Sequence, residues 1–196
     1  MPGADSTVFF WINGLADHVP IIDSFIRLMA SDYFIPLSLA LVQFAVWFIG
    51  ASPEQREHNQ KGIMVTFTAV AFACLVVKVI NLFYDRLRPF ELYPTGEVKM
   101  LFYTPTDPSF PANMVGVAFA FAIGTWLYNR KLGKILLIPA VLVAFARVYV
   151  GVHFPLDVIA GAVIGIAVTF AARFVIRRAE PIPTLIIKAA RKLYVA

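Results

Sequence analysis

The sequence predicts an all-α fold, a polytopic membrane helical bundle of about five to six transmembrane helices with interfacial amphipathic helices at both ends. Three observations predict it. Of 196 residues, 60% are hydrophobic and only 15% charged, against roughly 45–50% apolar in a soluble domain. The apolar residues run in unbroken stretches long enough to cross a bilayer, which takes roughly 17–25 helical residues. No stretch keeps the period-two alternation of a membrane β-barrel, so backbone polar groups within lipid are satisfied inside helices.

Residues 6–29 place Val8, Phe9, Ile12, Leu15 and Val19, then Ile22, Phe25, Ile26 and Met29, between Asp17, His18, Pro20, Asp23 and Arg27. Two arrangements produce this pattern: helices lying in the membrane interface, or helices packed on the bundle. The first spanning stretch is 34–50, at the short end of the range, with 31–33 able to add a turn. Residues 51–61 read as a polar loop opening on Ser-Pro-Glu, a helix-start signal. The second span is 62–84. Residues 85–110 carry Pro89, Pro94, Gly96, Pro105 and Pro108, and are expected as a surface loop or lid. The third span is 111–128, with Pro111 in its first turn; the fourth is 132–150 and the fifth 156–176. Gly161 and Gly165 give the fifth a small face for close helix contact. After Pro181 and Pro183, residues 184–195 form a basic amphipathic helix with Lys188, Arg191 and Lys192 on its polar side. The organisation is one integral membrane domain over 1–196: an interfacial region 1–30, a core 62–176 carrying the motifs, and a basic tail 180–196.

Charge sets the orientation. Lysine and arginine total 17, and 11 of them fall in 51–61, in the turn after Tyr128 and from Arg173 onward. The positive-inside rule puts that side and the C-terminus in the cytoplasm, so Arg88, Pro111, Arg147, His153 and Asp157 face the extracytoplasmic side. The net charge of +5 then reflects orientation and anionic lipid, not nucleic acid. The N-terminus has no basic region before an apolar core, so no cleavable signal is expected. Cys74 is the single cysteine, which excludes a disulfide framework or a cysteine metal site within one chain.

Residues 146–157, Ala-Arg-Val-Tyr-Val-Gly-Val-His-Phe-Pro-Leu-Asp, lie between two spans and hold an arginine, a histidine and an aspartate at the membrane surface. Ionisable groups there are expensive and mark function by default. If the fifth helix begins near Val152, His153 and Asp157 share a face, and the carboxylate holds the imidazole in one tautomer, as a nucleophile or base requires. Across Gly151, Arg147 brings a planar fork suited to phosphate. The alternative is an interfacial histidine and an arginine reaching for headgroups. Two further segments converge on the same face: Arg88-Pro89 after the second span, and Ser109-Phe110-Pro111-Ala112-Asn113-Met114 opening the third. A helix starting there aims free N–H groups at the same point, a site for anions.

Over about 62–176 the chain resembles the type 2 phosphatidic acid phosphatase superfamily, and within it the small bacterial undecaprenyl-diphosphatases; Arg147, Gly151, His153 and Asp157, in order, match the third motif. The resemblance implies a nucleophilic role for His153 through a phosphohistidine, an orienting role for Asp157 and phosphate binding by Arg88 and Arg147, without metal or cofactor. Other positions depart from the pattern. Asn81 stands where the first motif has lysine, with Lys78 one turn deeper, or Arg86, as possible substitutes. The second motif reads Pro111-Ala112-Asn113-Met114, so Ala112 replaces a hydroxyl donor and Met114 the general-acid histidine, while Asn113 retains an N–H for phosphate or serves as a helix-start residue. Ala146 replaces a serine.

The expected function is that of a metal-independent membrane lipid-phosphate phosphatase acting on a polyprenyl, in the family undecaprenyl, diphosphate. Its partners are that lipid substrate and membrane lipids, with no nucleic acid. The alternative is a catalytically impaired homologue that binds or transports lipid phosphate. With Met114 in place of the acid, a carboxylate of the 85–110 loop, such as Glu91 or Asp107, is an alternative proton source. The oligomeric state is left open.

Overall fold

Ser52 starts the longest helix: its Oγ accepts from Gln55 N at 3.2 Å, Pro53 occupies the first turn and Glu54 follows. The computed structural model describes residues 3–193, and all regular structure among them is helical. The elements are α1 (Ala4–Asn13), α2 (Pro20–Met29), α3 (Phe34–Trp47), α4 (Pro53–Asn81), α5 (Pro89–Leu92), α6 (Asn113–Trp126), α7 (Arg130–Tyr149), α8 (Pro155–Arg178) and α9 (Ile182–Lys192). The segment expected as a polar loop at 51–61 is therefore mostly helix. Its polar residues continue α4 beyond its apolar part, and Glu57 pairs with Lys61 one turn on at 3.3 Å.

Three helices, α4, α7 and α8, are long and apolar enough to cross a membrane. The expected first span is shorter than its apolar stretch, because α3 ends at Trp47; α2 and α3 pass the same test only together, bent by 54°. The expected third span also contracts: α6 starts at Asn113, not Pro111, and has 14 residues, about 21 Å of helix. It needs no lipid-facing length, since it lies among α4, α7 and α8 and is buried nearly all round.

Small residues allow this packing. A Cβ on Gly161 would lie 2.4 Å from Ala112 O, and one on Gly165 2.3 Å from Gly116 O. The small face expected on the fifth span is therefore where α8 meets α6, bringing Asp157 to the start of α6. A backbone bond from Ala112 N to Asp157 O, 3.0 Å, fastens that junction.

The N-terminal helices take the second of the two arrangements the sequence allowed. Phe9 is fully buried, and Asn13 Nδ2 donates to Lys99 O and Tyr149 O, both at 2.9 Å. Buried Asp23 accepts from Tyr149 Oη at 2.7 Å. The outer face of α2 still shows Ile21, Ile22 and Phe25, as a lipid-facing helix does. At the other end α9 lies against the start of α4, with Arg191 3.5 Å from Glu57. The tail helix expected over 184–195 runs to Lys192; residues 194 and 195 lie outside the described residues.

Candidate active site

Helix α8 opens at Pro155, three residues after the start near Val152 that would place His153 on its face. Proline favours the first helical position, and Phe154 N donates to Asp157 Oδ2 at 2.8 Å, which closes the first turn behind the histidine. His153 therefore stands in the short α7–α8 connection. Gly151 lets the chain turn there, with φ +87° and space in which a Cβ would meet Lys99 O at 3.0 Å.

The imidazole is held differently from the expectation of a direct carboxylate bond. Nδ1 lies 2.8 Å from the Ser109 carbonyl and 3.9 Å from Asp157 Oδ2. A carbonyl only accepts, so Nδ1 carries the proton and Nε2 keeps its lone pair. Asp157, fully buried, supports this indirectly: it accepts from Ser109 Oγ at 2.5 Å, and so grips the residue whose carbonyl fixes the ring. Its other oxygen takes Arg86 Nη1 at 2.5 Å. Arg86 also reaches Asp5 at 2.6 Å and lies over the Phe154 ring at 4.6 Å. It is thus committed to Asp157, and does not fill the position vacated by the motif lysine.

Nε2 faces Arg88 Nη1 at 3.4 Å. Arg88 precedes α5, where Glu91 accepts from its backbone N at 2.7 Å. Its buried guanidinium also donates to Val152 O and Asp107 O, each at 2.9 Å, and to Asp107 Oδ1 at 2.9 Å. Arg147, in the last turn of α7, pairs with Asp32 and lies 5.4 Å over the Phe102 ring; its Nε is buried without a partner. Arg88, Arg147, Asn113, Met114 and His153 line one cavity of about 280 Å³, together with Asp32, Tyr33, Tyr103, Pro105 and Asp107.

Asn113 contributes a buried Oδ1 with no partner. Ala112 and Ala146 are fully buried and make no polar contribution. Lys78 does not join: it is exposed on α4 and lines no part of the cavity. Asn81, with its amide turned to satisfy both partners, donates to Phe110 O at 2.9 Å and Val77 O at 3.2 Å, so it braces the approach to α6.

Burial, reinforced by the Arg88 and Arg147 charges, pushes the His153 imidazole well below its ordinary range. The ring is neutral, as a nucleophile must be. Burial also lowers Arg88, partly countered by Asp107. The Tyr103 hydroxyl, which donates to Asp32, is pushed up to about 12 by desolvation and by that carboxylate. No sequence motif marks Asp5, Asp32 or Tyr103.

This arrangement offers an unprotonated imidazole nitrogen opposite two guanidiniums in a small cavity at the end of a membrane bundle, which suits phosphoryl chemistry. The chain belongs to the PAP2 superfamily, whose family model matches residues 62–180; in class it is a membrane lipid phosphatase. It is similar to the undecaprenyl-diphosphatase BcrC of Bacillus subtilis (strain 168), 32% identical over 164 residues, 83% of this chain and 79% of that protein. An undecaprenyl-diphosphatase of Sulfolobus acidocaldarius is 42% identical over 86 residues, 43% of this chain and 41% of its own. Among solved structures, Aquifex aeolicus LpxE superposes with a TM-score of 0.67 at 27% identity, covering 87% of this chain and 95% of that one. A PAP2-type phosphatidylglycerolphosphate phosphatase from Bacillus subtilis shares the fold, with a TM-score of 0.60 at 19% identity over 92% of this chain and 90% of its own.

Proposed function

We propose that this phosphatase removes the terminal phosphate of a polyprenyl diphosphate at the extracytoplasmic face, without metal, through a phosphoenzyme on His153. One observation carries the reading: His153 Nε2 lies 3.4 Å from buried Arg88 in a cavity that Arg147 also lines, while Ser109 O holds the Nδ1 proton. In the first step Nε2 bonds to the terminal phosphorus, and the bridging P–O bond breaks with its electron pair on the lipid monophosphate. The ring becomes cationic, offset by Asp157 at 3.9 Å. Water then forms a new P–O bond as N–P breaks with its electron pair returning to Nε2, and inorganic phosphate leaves with one of the water's protons while the other passes to solvent.

The leaving group explains how Met114 is tolerated. General acid catalysis is worth about 10²–10⁴ in rate. A lipid alkoxide, comparable to hydroxide from water of pKa about 15.7, needs that proton. A lipid monophosphate, the base of an acid with pKa about 6, departs without it. The substrate class thus follows from the absent acid.

The competing reading is a lipid-phosphate binder or transporter, favoured by Met114 on the cavity wall and by carboxylates already paired with both arginines. Phosphate release from a prenyl diphosphate in chelator, with acid-labile phosphate trapped on the protein, separates the two. His153→Ala should abolish both signals; release that persists in this variant refutes the phosphoenzyme, and binding without release establishes the binder.

A further inference from the structure

A second cavity, about 300 Å³, opens at the opposite end of the bundle, between α4, the end of α6 and the end of α8. It is about 24 Å along α8 from Asp157, at about 1.5 Å per residue. Its floor is the Tyr128 ring, laid so closely on Gly62 that a Cβ there would meet Cδ1 at 2.0 Å. The ring is pinned by its hydroxyl, which donates to Gln43 Oε1 at 2.5 Å. The walls combine Val65, Leu127 and Ile176 with His58, Lys61, Arg173 and Arg177 and with one carboxylate, Glu180, which pairs with Lys61 and leaves the two arginines as the free charge.

The basic groups at this end differ in their partners. Lys61 is braced by Glu180 at 2.8 Å and Glu57 at 3.3 Å. Arg191 reaches Glu57 at 3.5 Å, Arg178 lies 5.2 Å over the Phe174 ring and Arg130 lies 4.9 Å over Trp126. Arg173 and Arg177 have no carboxylate partner among the described residues, and both line the cavity. They are one turn apart on α8, a like-charge spacing that is unfavourable unless an anion lies between. The helix dipole does not account for Arg173, which lies outside the last turn, where the dipole's reach ends. Beside them α8 turns Phe170 and Phe174 outward, an apolar strip leading from the cavity along the membrane-facing surface.

We propose that this cavity is a second phosphate site, which takes the phosphate headgroup of an anionic membrane lipid between Arg173, Arg177 and Lys61, with the acyl chains along Phe170 and Phe174. Basic pockets between membrane helices bind such headgroups by charge and shape together. The site is independent of the His153 chemistry, so neither reading depends on the other.

The test places the purified full chain in phosphatidylcholine nanodiscs with or without phosphatidylglycerol and measures retained lipid by native mass spectrometry. The parent should retain phosphatidylglycerol in preference to phosphatidylcholine. Arg173→Gln with Arg177→Gln should weaken that retention on the order of tenfold, and turnover of a prenyl diphosphate in detergent should stay unchanged. Lys131→Gln with Lys134→Gln removes the same charge from exposed positions outside the cavity and should leave retention intact. If the double arginine variant does not fold, the exposed Arg177→Gln alone should show part of the loss. Equal retention in the arginine variants, or equal loss in the lysine control, overturns the site. Competition by inorganic phosphate alone, as effective as lipid, reassigns the cavity to the free anion and overturns the lipid assignment.

Discussion

His153 depends on its surroundings for its protonation state. Its folded pKa lies below the ordinary value of about 6.5, because burial and two guanidiniums oppose the charged ring. The neutral form, which the proposed phosphoenzyme route requires, therefore persists on acidification, and the acid limb of kcat/KM should fall below pH about 6.5, after allowance for substrate ionisation near pH about 6. A limb at or above the free-imidazole value would contradict the geometry. The linkage has a definite sign. As pH drops below about 6.5 the unfolded chain takes up a proton that the folded one refuses, so this group lowers stability across that window and contributes none of the loss above it. His153→Gln should accordingly lose less thermal midpoint between pH about 7 and about 5 than the parent. Asp5 acts at a distance from phosphate: it accepts from Leu156 N at 2.9 Å and holds Arg86, which holds Asp157. Asp5→Ala should lower kcat on the order of tenfold while KM moves little, and Asp5→Asn should recover part of it. A KM effect alone would mean that Asp5 only anchors the N-terminus.

Among the elements, the α6–α8 junction carries the site. Ala112 and Asp157 share a backbone bond, and Gly161 admits the Ala112 carbonyl so closely that any side chain there displaces backbone. Gly161→Leu should cost about 1–3 kcal/mol by overpacking, read as a lower thermal midpoint. It should also reduce turnover, because the start of α6 carries Asn113 and Met114 on the cavity wall. Normal turnover at a lowered midpoint would separate packing from catalysis. The loop between α5 and α6 is equally structural. Ser109 N donates to Arg86 O at 2.9 Å, and Ser109 presents its carbonyl to His153, so the end of this segment is anchored in the wall of the site.

At the scale of the whole molecule, the proposed mechanism makes a prediction about substrate choice. In the proposed mechanism a cavity with two arginines and Met114 in place of the acid favours a leaving group that needs no proton. Phosphatidic acid should accordingly be turned over about 10²–10⁴ times more slowly than a prenyl diphosphate, measured as phosphate release under matched micellar conditions. Equal rates would remove the leaving-group argument and point to an acid elsewhere on the wall, such as Asp107.

Much of this protein is legible from residue order alone. Its membrane class follows from uninterrupted apolar stretches, a close-packing face on α8 from Gly161 and Gly165, and the shared end of Arg88, Arg147 and His153 from counting spans. These features are local or additive along the chain. Tertiary structure decided what local pattern does not encode: that α6 is short because it is enclosed, that Lys78 faces away, and that Asp157 acts on His153 through Ser109. It also brought Asp5 to Leu156 and Asp32 to Arg147. Such contacts join residues more than a hundred positions apart, where neither helical period nor spacing leaves a trace, and only the packed bundle determines which buried charge meets which partner.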